Sequence, residues 1–260
     1  MKFSYIKLIF KKIKFLNLLI FNRDKKRYKI NLFGSRFMGI NGQSFYHSYQ
    51  EIFVQRLYHI THEKTVFNII DCGANYGLSV IYFLRHYPNA KILAFEADPK
   101  IFEQLKENLS TYNPAKFELY NKAVFDSDGE LEFYGDGGDS GSLVNKRNNS
   151  PIVKIGTVKL SNYLKNNIVD LLKIDIEGAE FLVLKEISGE LRQVKHIFIE
   201  YHSFGGQEQT LNEILSILKV NNFRIYIKSQ FVSKSPFNKK EVFQGMDMML
   251  LIFGINESYE

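Results

Sequence analysis

The chain has 260 residues, 45% of them hydrophobic and 24% charged, with five prolines, which suits one sizeable α/β domain and leaves little room for two. Its formal charge of +6 is uneven. Residues 1–30 hold ten Lys or Arg against Asp24 alone, so residues 31–260 carry 24 bases against 27 acids, and a mildly acidic body argues against nucleic acid as a partner.

Residues 1–30 form a basic segment in which Ile6, Ile9, Phe10, Ile13, Leu16 and Ile20 recur at helical spacing, with Lys7, Lys11 and Lys14 on another stripe. Such a helix fits against the domain or a partner chain. It also fits peripheral contact with the inner face of a membrane, lysines toward anionic headgroups. The apolar run 15–21 contains Asn17 and falls short of the roughly 20 residues a span needs. Arg23-Asp24-Lys25-Lys26-Arg27 follows it where a secretory signal would place small residues. Cys72 is the only cysteine, so no disulfide closes within the chain, in keeping with a reducing, cytoplasmic setting.

Residues 31–64 read as a lead-in: a stretch with Gly and aromatic residues over 37–49, then a cap helix over 49–60. From residue 65 to 260, apolar runs at 66–72, 91–96, 117–124, 171–176 and 196–201 read as strands, and helical patterns at 78–86, 100–110, 179–187 and 210–220 lie between or after them. Runs at 223–227 and 246–253 add an antiparallel hairpin at the end. Strands that alternate with helices in this way predict an α/β fold: a doubly wound, mostly parallel, Rossmann-like sheet of seven strands with helices on both faces. Between 126 and 157 a segment rich in Gly, Ser, Asp and Asn, including Gly135 to Ser142, reads as a long loop or a lid.

The strand ending at Asp71 runs into Cys72-Gly73-Ala74-Asn75-Tyr76-Gly77, after which a helix begins. Glycines there permit positive φ, let backbone amides approach a ligand and let the helix pack on the strand. Asn75 stands where a third glycine is common, and Asn is the other residue that best tolerates the left-handed region. Glu96 ends the next apolar strand, 25 positions after Asp71, where a carboxylate accepts hydrogen bonds from both ribose hydroxyls of an adenosine cofactor. This arrangement serves NAD as well as S-adenosylmethionine. Asp71 would oppose a pyrophosphate but suit a cationic amino or sulfonium group, which favours the methyl donor over an NAD-dependent oxidoreductase.

Three blocks, Asp71 to Gly77, Phe95-Glu96-Ala97-Asp98-Pro99 and Leu172-Lys173-Ile174-Asp175-Ile176-Glu177-Gly178-Ala179-Glu180, resemble the FkbM-type methyltransferase family in order and spacing. Asn121-Lys122-Ala123-Val124, Asp128-Gly129 and Ser140 to Leu143 look like its intermediate blocks, so the similarity covers about residues 45–255. The resemblance implies a class I methyltransferase fold and S-adenosylmethionine as the methyl source. It further implies O-methylation of a small-molecule or glycan acceptor such as a saccharide. Carried over, Gly73, Ala74, Asn75 and Gly77 would line the methionine end and Asp71 would hold its amino group. Glu96, with Ala97 beside it, would bind ribose, and Asn121 to Ala123 would approach adenine.

A hydroxyl acceptor must also lose its proton, which calls for a base or a metal. Asp175 ends the fourth strand, Glu177 follows two positions on, and Glu200 and His202 end the fifth, so the four converge at one mouth of the sheet. His202 is the first candidate base, because an unperturbed imidazole titrates near neutrality; Asp175 and Glu177 would orient the acceptor or assist. Glu177 and Glu180 also open a helix, where carboxylates are favoured without any catalysis, and a histidine at a strand end is often structural. Neither the residues nor the resemblance demands a metal, although Asp175 with Glu177, Glu200 or His202 would suit Mg²⁺ or Mn²⁺. The competing readings are an N-methyltransferase and a nucleotide-binding module of this fold without catalysis.

Overall fold

A computed structural model of the chain describes residues 27–61, 67–134, 152–165 and 167–259. The amphipathic pattern of residues 6–20 and the Gly135–Ser142 tract lie outside the described residues. Strands β1 (Arg27–Leu32) and β2 (Ser35–Ile40) form an antiparallel hairpin. Tyr28, Ile30 and Leu32 alternate inward, so the last residues of the basic segment form a strand. Helix α1 (Gly42–Tyr49) starts seven residues before the expected cap helix, because Asn41 Oδ1 accepts from the amides of Gln43 and Ser44 and fixes its first turn. The helix continues through a π-helical turn, Gln50–Val54, and Arg56 at φ 59° follows its end.

The main domain follows in chain order. It comprises β3 (Phe67–Cys72), α2 (Leu78–His86), β4 (Ala90–Phe95), α3 (Pro99–Leu109), β5 (Phe117–Tyr120), β6 (Ala123–Phe125), β7 (Gly129–Tyr134) and β8 (Ile152–Lys159). After them come α4 (Ser161–Leu164), β9 (Val169–Ile174), α5 (Glu180–Glu186), β10 (Val194–Phe204), α6 (Leu211–Val220), β11 (Phe223–Val232) and β12 (Met246–Asn256). The central sheet has seven strands in the order β11-β12-β10-β9-β3-β4-β5, parallel except for β12, which runs antiparallel to both its neighbours. This is the class I methyltransferase arrangement.

Every residue of β9 is buried, as a strand covered on both faces requires. Successive residues of β3 divide between the two cores. Phe67 and Ile69 pack with α2, α3 and the N-terminal hairpin, and Ile70 and Cys72 with α4, α5 and α6. The expected single strand at 117–124 is broken in two. Asn121 Nδ2 donates to the carbonyls of Glu96 and Ala97, which turns the chain out of the main sheet and sends β6 into a small second sheet of order β6-β8-β7. Part of the segment expected as a loop is therefore strand.

Asn108 in α3 fastens the N-terminal hairpin to the domain. Its amide accepts from Met38 N and donates to the carbonyls of Met38 and Tyr76, so the buried group is satisfied on both ends. Among the described residues, no helix is long and apolar enough to cross a membrane. The neighbours β3 and β9 are where the strand order reverses direction, and a crevice opens there beyond their carboxyl ends.

Candidate active site

A cavity of about 660 Å³ occupies that crevice. Its floor is the turn after β3. Gly73 has φ +88°, and a Cβ there would fall 1.8 Å from the Asp175 carbonyl oxygen, so only glycine lets the two loops approach. Gly77 has φ +89° and meets Leu105 of α3 on its side-chain face. Asn75 takes the left-handed conformation at φ 49°, its side-chain oxygen accepting from Tyr76 N.

Glu96, the residue after β4, reaches back to this turn. One carboxylate oxygen accepts from Asn75 N at 2.8 Å and the other from Asp98 N at 2.9 Å. Burial pushes its pKa up to about 7, although those two amides favour the ionised form. Each oxygen keeps a lone pair, and the side chain lines the cavity.

Of the residues expected at a cofactor, Gly73, Ala74, Asn75, Glu96, Ala97 and Ala123 line the cavity. Asp71, Gly77 and Asn121 stand behind its wall. Asp71 is fully buried; one oxygen accepts from Ser79 Oγ at 2.5 Å and the other lies 3.0 Å from Lys173 Nζ. In the described structure its charge is therefore answered by Lys173. The Lys173 ammonium also reaches Asp175 at 3.2 Å and donates to the Gly73 carbonyl at 2.9 Å. Burial opposes its charge, but Asp71 and Asp175 override this and hold its pKa well above the usual lysine range.

The other end of the cavity gathers Asp175, Glu177, Glu200 and His202. Asp175 directly follows β9, and Glu200 and His202 lie two apart in β10, so both face the same side of the sheet. Ligand atoms of Asp175, Glu200 and His202 all lie within 4.8 Å of one another. His202 Nδ1 donates to Glu180 Oε1 at 2.9 Å, both side chains being buried, while Nε2 lies 3.8 Å from Glu200 Oε1. Glu180 Oε1 also accepts from Gly178 N, so this carboxylate orients the histidine as well as opening α5. Burial would favour a neutral imidazole, yet Glu180, Glu177 and Glu200 hold the His202 pKa well above its ordinary value. Burial and then the Asp175 charge raise Glu200 to about 8, against the opposing pull of His202.

The remaining walls come from the two ends of the described chain: Ser44, His47 and Glu51 on and after α1, and Gln230, Phe231 and Phe243 from β11 and the loop before β12. Gln230 Nε2 donates to Glu51 Oε1, and Lys228 Nζ donates to Gln55 Oε1 at 3.1 Å, so the two ends are joined over the cavity. Sequence reasoning did not single out these walls, nor Lys173. For Lys173 a signal exists: a charge inside a strand that is buried on both faces demands a buried partner. The register supplies one, pairing Lys173 with Asp71 across β9 and β3.

Comparison with known proteins agrees with this geometry. The methyltransferase FkbM domain matches residues 71–225, more than half of the chain. Methyltransferase 1 of Beauveria bassiana is 30% identical over 166 residues, covering 55% of this chain and 67% of that protein. Methyltransferase sdnD of Sordaria araneosa is 30% identical over 190 residues, covering 58% and 73%. The 2-O-methyltransferase NoeI of Sinorhizobium fredii is 27% identical over 154 residues, covering 51% and 62%. Among solved structures, a SAM-dependent methyltransferase from Agrobacterium tumefaciens aligns with a TM-score of 0.50 at 9% identity, over 89% of this chain and 71% of that one, a likeness of fold alone. With the domain match spanning the glycine turn, Glu96, Asp175 and the Glu200–His202 pair, the chain belongs to the FkbM methyltransferase family.

Proposed function

We propose that this methyltransferase uses S-adenosylmethionine to methylate a hydroxyl of a saccharide, glycolipid precursor or related small molecule. The observation that carries the reading is Glu96: a buried carboxylate, fixed by the amides of Asn75 and Asp98, with free lone pairs toward a cavity whose opposite end holds Asp175, Glu200 and His202. When bound, the donor supplies a methyl carbon on a sulfonium sulfur, which the acceptor oxygen displaces in line, leaving S-adenosylhomocysteine and a methyl ether. Glu96 accepts the two ribose hydroxyls, with Ala97 beside it. The Gly73–Asn75 turn cups the methionine end, and Ala123 approaches adenine, with Asn121 shaping the loop behind. Asp71 acts from behind the wall, through Lys173, to set the charge beneath the turn.

At the far end, Asp175, Glu177, Glu200 and His202 hold the acceptor hydroxyl, and its proton passes to the surrounding carboxylates. The walls of hydroxyl, amide and imidazole groups, with Phe231 and Phe243 beside them, offer hydrogen-bond partners and flat apolar faces of the kind a sugar ring presents to. The printed name of NoeI, a 2-O-methyltransferase, supports oxygen as the acceptor atom. A cytoplasmic enzyme whose N-terminal basic residues touch the inner face of a membrane would meet lipid-linked acceptors there.

The test is a methyl-transfer screen over glycan acceptors, paired with calorimetry. Asp175→Asn and His202→Asn are each expected to keep S-adenosylhomocysteine affinity within about threefold and to lose about 100-fold or more in turnover. Transfer to amines alone, or no affinity for S-adenosylhomocysteine, would refute the reading.

A further inference from the structure

We infer that Asp175, Glu200 and His202 form a binding site for one divalent cation of the Mg²⁺ or Mn²⁺ class. Its purpose, to bind the acceptor oxygen, rests on the proposed hydroxyl methylation; its detection does not.

Two neighbouring strands build the site. In the parallel register Ile199 stands opposite Ile174, so the next residues, Glu200 and Asp175, emerge side by side where β9 ends and β10 runs on past it to Phe204. His202, two positions further, projects on the same side as Glu200. One ligand atom from each lies within 4.8 Å of the others. Ligands about 2.1 Å from a common octahedral ion stand about 3 to 4 Å apart, so side-chain shifts on the order of 1 Å close the set.

The second observation is how His202 is held. Its side chain is 2% exposed, and Nδ1 is committed to the 1%-exposed Glu180. His202 lines the cavity, and its Nε2 lies 3.8 Å from Glu200 Oε1, beyond hydrogen-bond reach. A buried carboxylate that takes the proton of one ring nitrogen and aims the other at oxygen ligands is the outer arrangement that fixes the tautomer of a metal-bound histidine. Glu180 is itself held by Gly178 N, so the aim is rigid.

Charge points the same way. Asp175, Glu177, Glu180 and Glu200 converge on this end of the site, where His202 faces Glu180 and Glu200 and Lys173 is shared between Asp175 and Asp71. The methyl donor, with its amino, sulfonium and carboxylate groups, adds a net single positive charge. A dication seated where the Asp175 and Glu200 carboxylates converge would favour the ionised form of both. Two carboxylate oxygens and one imidazole, with no thiol among them, select a hard or borderline ion over a thiophilic one. Coordination positions left toward the cavity would be free for water or an acceptor hydroxyl, whose acidity the ion raises.

The experiment titrates MnCl₂ into the full-length protein after passage over a chelating resin, with and without S-adenosylhomocysteine. Binding is read by calorimetry and by loss of the free Mn²⁺ paramagnetic resonance signal. One ion per chain is expected to bind. Glu200→Gln and His202→Asn should each weaken it by about 10- to 100-fold, while S-adenosylhomocysteine affinity, measured on the same samples, stays within about threefold and reports an intact fold. No Mn²⁺ bound at millimolar concentration, or binding that neither substitution weakens, overturns the site. Should methyl transfer run at full rate in excess EDTA, the cation's role falls while the hydroxyl-methylation reading stands; absence of transfer with Mn²⁺ demonstrably bound sinks that reading and not the site.

Discussion

Replacing Glu96 with Gln keeps the side chain's shape but turns one of its two acceptors into a donor. The two oxygens of Glu96 now serve Asn75 N and Asp98 N. In either amide orientation, an NH₂ of the glutamine would confront one of those N–H groups, at a cost of about 1–3 kcal/mol for a buried donor left unmade. An opposing effect comes from charge. The rise of the Glu96 pKa from 4.5 to about 7 means that ionising it inside the fold costs roughly 3 kcal/mol at pH 8, a cost the amide does not carry. The two offset, so global stability at pH 8 should change by less than about 2 kcal/mol. Donor binding has no such compensation. Hydrogen bonds to an ionised acceptor contribute about 1.5–3 kcal/mol each, and Gln retains at most one neutral acceptor for two ribose hydroxyls. The expected loss is about 2–4 kcal/mol, or roughly 30- to 1,000-fold in S-adenosylhomocysteine affinity. Isothermal calorimetry at pH 8, with urea unfolding on the same samples, measures both quantities. A dissociation constant within about threefold of the unaltered protein, with the fold intact, would show that Glu96 does not hold the ribose.

The same carboxylate predicts a pH profile. Because its folded pKa is raised, its contribution to the stability of the ligand-free protein is fully present below about 4.5 and is lost as pH climbs through about 7. Donor binding has the opposite sign: S-adenosylhomocysteine affinity should rise by up to about tenfold per pH unit until pH 7 and then level off, with proton release visible in buffers of different ionisation heat. Lys173→Met should destabilise the fold by about 3–5 kcal/mol, since it strands the Asp71 charge at zero exposure; denaturant unfolding checks this, and a loss below 1 kcal/mol would contradict the ion-pair account. Gly73→Ala would drive a methyl against the Asp175 carbonyl at positive φ, so a clear drop in melting temperature together with lost S-adenosylhomocysteine binding is expected.

What the sequence discloses follows from burial. β3, β4, β9 and β10 are legible because strands covered on both faces are written as apolar runs, and Asp98 ahead of Pro99 marks the start of α3 in a way that needs no neighbour. The β1–β2 hairpin escapes notice for the opposite reason. Its inward residues Tyr28, Ile30 and Leu32 alternate with Arg27 and Lys29, so the strand is lost within a basic stretch, and its turn uses Phe33 in a left-handed conformation that a phenylalanine does not advertise. The division of β5 from β6 depends on what Asn121 bonds to, 24 and 25 residues away. In the site, Glu96 is readable from spacing. Asp71 and Gly73, which Lys173 also joins, lie about 100 residues from it, and the charge state of His202 depends on Glu180, which takes part through the fold and not through proximity in the chain.

The bridge between Glu51 and Gln230 sets a rule for anyone who would redirect this enzyme. The two stretches that wall the cavity here lie almost 180 positions apart, and each is fitted to the other. A chimera that imports only one of them from a relative inherits a mismatched seam above an untouched donor pocket, so grafts have to move as pairs.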